Sequence, residues 1–167
     1  MKKKAIIVLG VVIALVVVLG FMKLGEQPLE TPPLDEENDV FYFSNHTNAS
    51  WGFYVSKETI YNTGEITLYT NSNGKEEEKS AYLTSEELST LKELAKKAKT
   101  KMVKGDVMAM DRGDTKSSLY QPETHKEIEL YRFDAGYGYT NEDKDAQKCM
   151  EMIGEMFQKY IYETKDS

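Results

Sequence analysis

Residues 51–83 read WGFYVSKETIYNTGEITLYTNSNGKEEEKSAYL, and two turn signals inside this stretch decide the fold. Asn73-Gly74 suits a type I′ hairpin turn, because both residue types tolerate positive φ. Asn62-Thr63-Gly64 fits a three-residue hairpin loop. Between them Ile66 and Leu68 alternate with Thr67 and Tyr69, which gives one apolar strand face. The stretch therefore predicts a three-stranded antiparallel meander over about 52–61, 65–71 and 77–83. Upstream, Phe41-Tyr42-Phe43 predicts a short edge strand.

Downstream, LTSEELSTLKELAKKAK (residues 83–99) predicts a helix. Thr84 and Glu87 have the spacing of a capping box, and Leu83 with Leu88 that of a hydrophobic staple. Leu88, Leu91, Leu94, Ala95 and Ala98 form one stripe. Further on, DVMAM and KSSLYQ flank a turn at Asp111-Arg112-Gly113-Asp114, KEIELYRFD alternates as a strand, and AGYGY reads as a loop or short strand. Ala146, Cys149, Met150, Ile153, Met156, Phe157, Tyr160 and Ile161 recur at helical spacing over about 141–162, with Thr140 or Asn141 as the expected cap. Strands, helix, strands, helix in that order predict an α+β fold, an antiparallel sheet with two helices packed on one face. GEITLY and KEIELY lie 62 residues apart, each ahead of a helix. Half-buried strands share this alternation by chance more often than by duplication.

The 167-residue chain opens MKKKAIIVLGVVIALVVVLGFMKLGEQPLE. Residues 5–22 carry no charge and as a helix span about 27 Å, close to the bilayer hydrocarbon. A signal-peptide apolar core usually runs about 7–15 residues to a small-x-small site, and the best one here, after Gly20, is poor. Residues 1–23 are therefore expected to form an uncleaved N-terminal transmembrane anchor. If residues 1–20 are cleaved, the chain is secreted. Lys2, Lys3 and Lys4 precede the span and acids follow it, which puts the N-terminus inside and the rest outside the cytoplasmic membrane in a single pass. Residues 24–40 hold Pro28, Pro32 and Pro33 among six acids, which predicts an extended linker. Residues 41–167 are then one extracytoplasmic α+β domain.

Net charge is −7; outside residues 1–23, which hold four Lys and no acid, 17 basic and 28 acidic groups leave −11. That balance speaks against nucleic acid as a partner. The single Cys149 cannot form an intramolecular disulfide, so the domain relies on its core. Cys149 and the nearby methionines fit a packed apolar stripe better than a soft-metal site. Glu142, Asp143 and Asp145 lack the glycine and glutamate of a calcium loop and suit a helix N-terminus instead. No cofactor or metal is expected. His46 in SNHTNAS and His125 in QPETHKE both read as surface loop residues outside any catalytic motif. Arg112-Gly113-Asp114 spells an integrin tripeptide, but a turn explains its glycine. Asn45-His46-Thr47 and Asn48-Ala49-Ser50 match the glycosylation pattern, which matters little in a chain of bacterial character.

FDAGYGYTN (residues 133–141) holds the strongest recognition signal, because tyrosine favours contact surfaces. Trp51, Tyr54, Asp134, Tyr137 and Tyr139 are the candidate binding residues. The expected function is a membrane-anchored interaction module for a protein or cell-envelope polymer, of the immunity, inhibitor or accessory-subunit kind. The alternatives are a small envelope hydrolase working through paired carboxylates and a structural spacer.

Overall fold

Asn73 and Gly74 adopt φ of 52° and 87°, so the hairpin turn forms as its residues dictate. In the computed structural model the described residues are 40–48, 52–108, 113–134 and 136–163, all within one unit of the chain. The expected membrane span, the linker up to Asp39, and Trp51 lie outside them. Among the described residues no helix is long and apolar enough to cross a membrane.

The fold is α+β, an open eight-stranded antiparallel sheet with two helices. Strands β1 (Val40–Asn48), β2 (Tyr54–Tyr61), β3 (Glu65–Ser72) and β4 (Lys75–Tyr82) lead into helix α1 (Ser85–Ala95). Strands β5 (Met102–Met108), β6 (Asp114–Tyr120), β7 (Glu127–Asp134) and β8 (Tyr137–Asn141) lead into α2 (Lys144–Phe157) and a π-helical turn, Gln158–Tyr162. The spatial order is β4-β3-β2-β1-β6-β7-β8-β5. Each half is four strands and a helix, and GEITLY and KEIELY both fall on the third strand of their half. The halves are nevertheless laid out differently: β1 sits at the centre, whereas β5 crosses to the far edge beside β8.

Three expectations need correction. Phe41–Phe43 is not a short edge strand; it belongs to a nine-residue strand at the centre of the sheet, and Val40 is already buried in it at 1% exposure. His46 accordingly lies in a strand, not a loop, with Nδ1 2.7 Å from Thr115 Oγ1. Asp143, rather than Thr140 or Asn141, caps α2 by accepting from Asp145 N and Ala146 N. Asn141 instead ends β8, 1% exposed, with its amide fully used: Nδ2 donates to Lys99 O and Glu129 O, and Oδ1 accepts from Lys101 N and Asp143 N. Burial alone would raise the Asp143 carboxyl, but the backbone N–H groups of Ala146, Lys99 and Asp145 outweigh it and hold it low.

One face of the sheet meets the helices. Ile60, Ile66, Leu119, Ile128 and Leu130 form a single cluster with Leu91 and Ala95 of α1 and with Ala146, Cys149, Ile153, Met156 and Phe157 of α2. Each buried Leu or Ile contributes about 1.5–3 kcal/mol relative to exposure. At the edge, Lys75 to Lys79 of β4 present charge to solvent, which discourages pairing with another chain.

The capping box of α1 forms in full, and its Glu87 does more. Oε2 accepts from Thr84 N, Thr84 Oγ1 and Tyr160 Oη at 2.9, 2.7 and 2.7 Å, and Oε1 from Lys159 Nζ at 2.8 Å. The carboxylate thus ties the start of α1 to the turn that follows α2. The Lys159 ammonium, then the Thr84 and Tyr160 donors, hold its carboxyl down at about 2 against their opposing desolvation. A depressed carboxyl stabilises the fold above its ordinary value of 4.5, and that stability is lost as pH falls toward 2. Because Glu87 is itself partly exposed, the expected contribution of its carboxylate is discounted to about 1–2 kcal/mol. Glu87→Gln should lower the thermal unfolding midpoint at neutral pH, and the gap from the unsubstituted chain should shrink below pH 3. Circular dichroism melts at both pH values check this; a gap independent of pH contradicts it.

Candidate functional site on the outer face of the sheet

Side chains alternate across a strand except at bulges, here at Phe41 of β1 and Leu130 of β7, both of which turn into the core, so the register assigns the remaining paired residues to one of two faces. Tyr42 pairs with Ile60 and Leu119 and points into the core cluster; Ser44 and His46 share its face. Phe43, Asn45 and Thr47 therefore lie on the opposite, outer face. From Asn45 one row can be followed across the sheet. Asn45 stands opposite Lys57 and Lys116; Lys57 opposite Tyr69, and Tyr69 opposite Glu78. In the other direction Lys116 stands opposite Arg132, Arg132 opposite Tyr139, and Tyr139 opposite Lys104. From Lys57 to Lys104 the row crosses five strand spacings, about 24 Å.

Cations hold a tyrosine ring near each end of the row, and Lys104 holds Tyr137 beside it. Lys104 Nζ lies 3.3 Å from the centre of the Tyr137 ring, the Arg132 guanidinium 4.6 Å from that of Tyr139, and Lys57 Nζ 5.9 Å from that of Tyr69. Such contacts are worth about 0.5–1 kcal/mol at exposed sites and hold the rings in place. Acids balance the charge. Lys116 Nζ meets Glu127 Oε1 at 2.7 Å, and Arg132 meets Glu129 at 3.1 Å and Asp134 at 3.4 Å. Burial tends to raise the Glu127 carboxyl, but Lys116 and the Ser118 hydroxyl, which donates at 2.7 Å, together hold it low. Beside the cation row, Ser80, Thr67 and Thr59 lead to Phe43 and then Ser118 on the same face, with Thr59 and Ser118 buried.

The polar residues of β1 divide by face. Toward the core, Ser44 and Ser117 share a 2.8 Å hydrogen bond, Tyr42 donates to Glu58 at 3.3 Å, and His46 meets Thr115. Burial, then the Glu58 charge, pushes the Tyr42 hydroxyl well above its ordinary value. Toward the outer face, Asn45 is 3% exposed and its Oδ1 has no hydrogen-bond partner. Two more buried polar atoms without one, Glu129 Oε1 and Arg132 Nε, lie on the same face; they face each other at 3.1 Å as an ion pair without hydrogen-bond alignment. A buried polar group left unpaired costs about 1–3 kcal/mol.

Of the residues singled out in the sequence, Asp134, Tyr137 and Tyr139 come together here. Asp134 pairs with Tyr137 across β7 and β8, and Tyr139 joins the row. Tyr54 does not join them. It has the parity of Ile60, lies on the core-side face of β2 with its ring 5.9 Å from His46, and is four strands away from β8. Trp51 is outside the described residues. Lys57, Lys116, Arg132, Lys104 and Tyr69 carry no motif and Asn45 only the glycosylation pattern; register alone assembles them. Asn45, buried in the middle of the sheet, is no glycan acceptor in the folded chain. Gly113 has φ of 70°, and a Cβ there would come within van der Waals overlap of Thr47 O, so close strand approach accounts for this glycine.

Among the described residues no group of three or more His, Cys, Asp or Glu side chains is placed to hold a metal ion. His125 sits in a loop at φ 49°. Cys149 is fully buried in the helix-side core. No family model matches the chain, and no curated protein matches it.

Burial, with the nearby Asp145 and Asp143 charges, pushes the Cys149 thiol up to about 12. The thiolate is the reactive species. Native protein at pH 8 should therefore leave a disulfide-exchange reagent unreacted on the timescale on which urea-unfolded protein reacts completely. Equal rates in the two states contradict the placement of Cys149 in the core.

Proposed function

We propose that the protein is a non-catalytic binding module held outside the cytoplasmic membrane, which presents the outer face of its sheet to a partner. The observation that carries this reading is the pair Tyr137 and Tyr139, each held by a cation, Lys104 and Arg132, on that face. Among the described residues both helices pack on the other face. Rigid tyrosines give contact area at low entropy cost. The carboxylates on this face do not favour a hydrolase. Glu127, Glu129 and Asp134 are each engaged by a cation, rather than opposed to one another across a gap.

Location rests on the uncharged residues 5–22, the lysines before them and the acidic, proline-bearing linker after them. An anchored module on a spacer works at the envelope, where a protein or an envelope polymer is the available partner.

Photo-crosslinking residues placed at Lys116 or Tyr139, in full-length tagged protein in its own membranes, should give discrete adducts. The same groups at Lys148 or Glu151, exposed on α2, should not. Adducts from α2 equal to those from the sheet, or none from the sheet, would overturn the assignment of the working surface. An intact mass equal to the full chain is expected for an anchor; loss of the first 20 residues would show a cleaved signal.

A further inference from the structure

Among the described strands, β4 and β5 end the sheet. An edge strand offers backbone donors and acceptors to another chain unless charge or irregularity blocks it. Charge blocks β4. Lys75-Glu76-Glu77-Glu78-Lys79 is exposed throughout, and antiparallel pairing of two copies about Glu77 would oppose lysine to lysine and glutamate to glutamate. The β5 edge has the opposite character. It reads Met102-Val103-Lys104-Gly105-Asp106-Val107-Met108, a palindrome whose charge changes sign across the centre. Antiparallel pairing of two copies about Gly105 sets Met102 opposite Met108, Val103 opposite Val107 and Lys104 opposite Asp106, each pair formed twice. Gly105 then lies on the axis, where the two backbones meet. Val103 is 39% exposed, and Lys104 and Gly105 are exposed too. Lys104 stands opposite Tyr139 and Met108 opposite Tyr137, so Gly105, Asp106 and Val107 share Gly138 alone. Such a bulge can turn an edge away from partners, but it also takes backbone groups out of the β8 ladder, and a second strand supplies their partners.

We propose that the occupant of the β5 edge is a second copy of this chain, paired antiparallel about Gly105 so that two eight-stranded sheets run on as one. A foreign strand would impose no symmetry on β5, whereas an isologous contact requires a self-complementary one. The seam is about 23 Å long. That is small for a stable interface, so the dimer is weak in dilute solution, where β5 remains a free edge, and is favoured where anchored copies are concentrated in one membrane. The twofold axis stands perpendicular to the sheet, so the Tyr137 and Tyr139 pairs of both copies share one face. The pairing does not depend on what that face binds.

Sedimentation velocity of the full chain in detergent, over a range of concentrations, should show monomer passing to dimer. Lys104→Asp or Asp106→Lys sets like charges opposite each other twice, and each should raise the dissociation constant at least about fivefold. The double substitution restores the opposition of charge and should return the constant to within about twofold of the unsubstituted chain. Lys104 also covers the Tyr137 ring, so circular dichroism confirms that each variant folds. Amide exchange of β5 should slow as the dimer forms, while that of β4 stays the same. A monomer at every concentration overturns the proposal. So does a dimer indifferent to the single substitutions, which places the contact elsewhere, or one that both weaken and the double fails to rescue, which excludes this register.

Discussion

The fold depends on one seam, the antiparallel pairing of β1 with β6. It runs from Tyr42 opposite Leu119 to Thr47 opposite Asp114, and it joins the sheet of the first four strands to that of the last four. At its far end the chain at Gly113 approaches Thr47 so closely that no side chain fits. Within it, Ser44 meets Ser117 and His46 meets Thr115 on the core side. The seam also fixes the outer row. Asn45 stands between Lys57 and Lys116 only because β1 lies between β2 and β6 in that register. A one-residue slip would exchange the two faces of β1, moving Asn45 into the core and Ser44 outward.

The helix-side core supports the seam. One apolar face of the sheet, the stripes of α1 and α2, and the Glu87 contacts to Tyr160 and Lys159 hold both halves to a single cluster. Stability is concentrated on that side, whereas the outer face carries half-buried tyrosines, balanced ion pairs and unpaired polar atoms.

Much of this was legible in the residues. Asn73-Gly74 and the Asn62–Gly64 loop specify their hairpins through φ, Thr84 and Glu87 mark the start of α1, and the Cys149 to Ile161 stripe marks the last helix. The length of β1 is not legible, because Ser44-Asn45-His46-Thr47-Asn48 is polar and weak in strand propensity; pairing on both sides overrides that preference. The cap of α2 was placed two or three residues early, since Asn141 is drawn instead into bonds with Lys99 and Glu129, distant in sequence. Of the candidate binding residues, Tyr137, Tyr139 and Asp134 share one short segment and one face. The parity of Tyr54 with the apolar Ile60 was a signal that it faces the other way. The cations that hold the tyrosines come from three different strands, and no local pattern encodes such a register.

Amide hydrogen exchange on the full-length protein tests the seam most directly. If β1 is the central strand, the amides of Phe43 to Thr47 should exchange as slowly as those of β6 and far more slowly than those of the edge strands β4 and β5. Exchange of β1 as fast as β4 would mean that the two halves are not joined there, and the outer row would lose its basis.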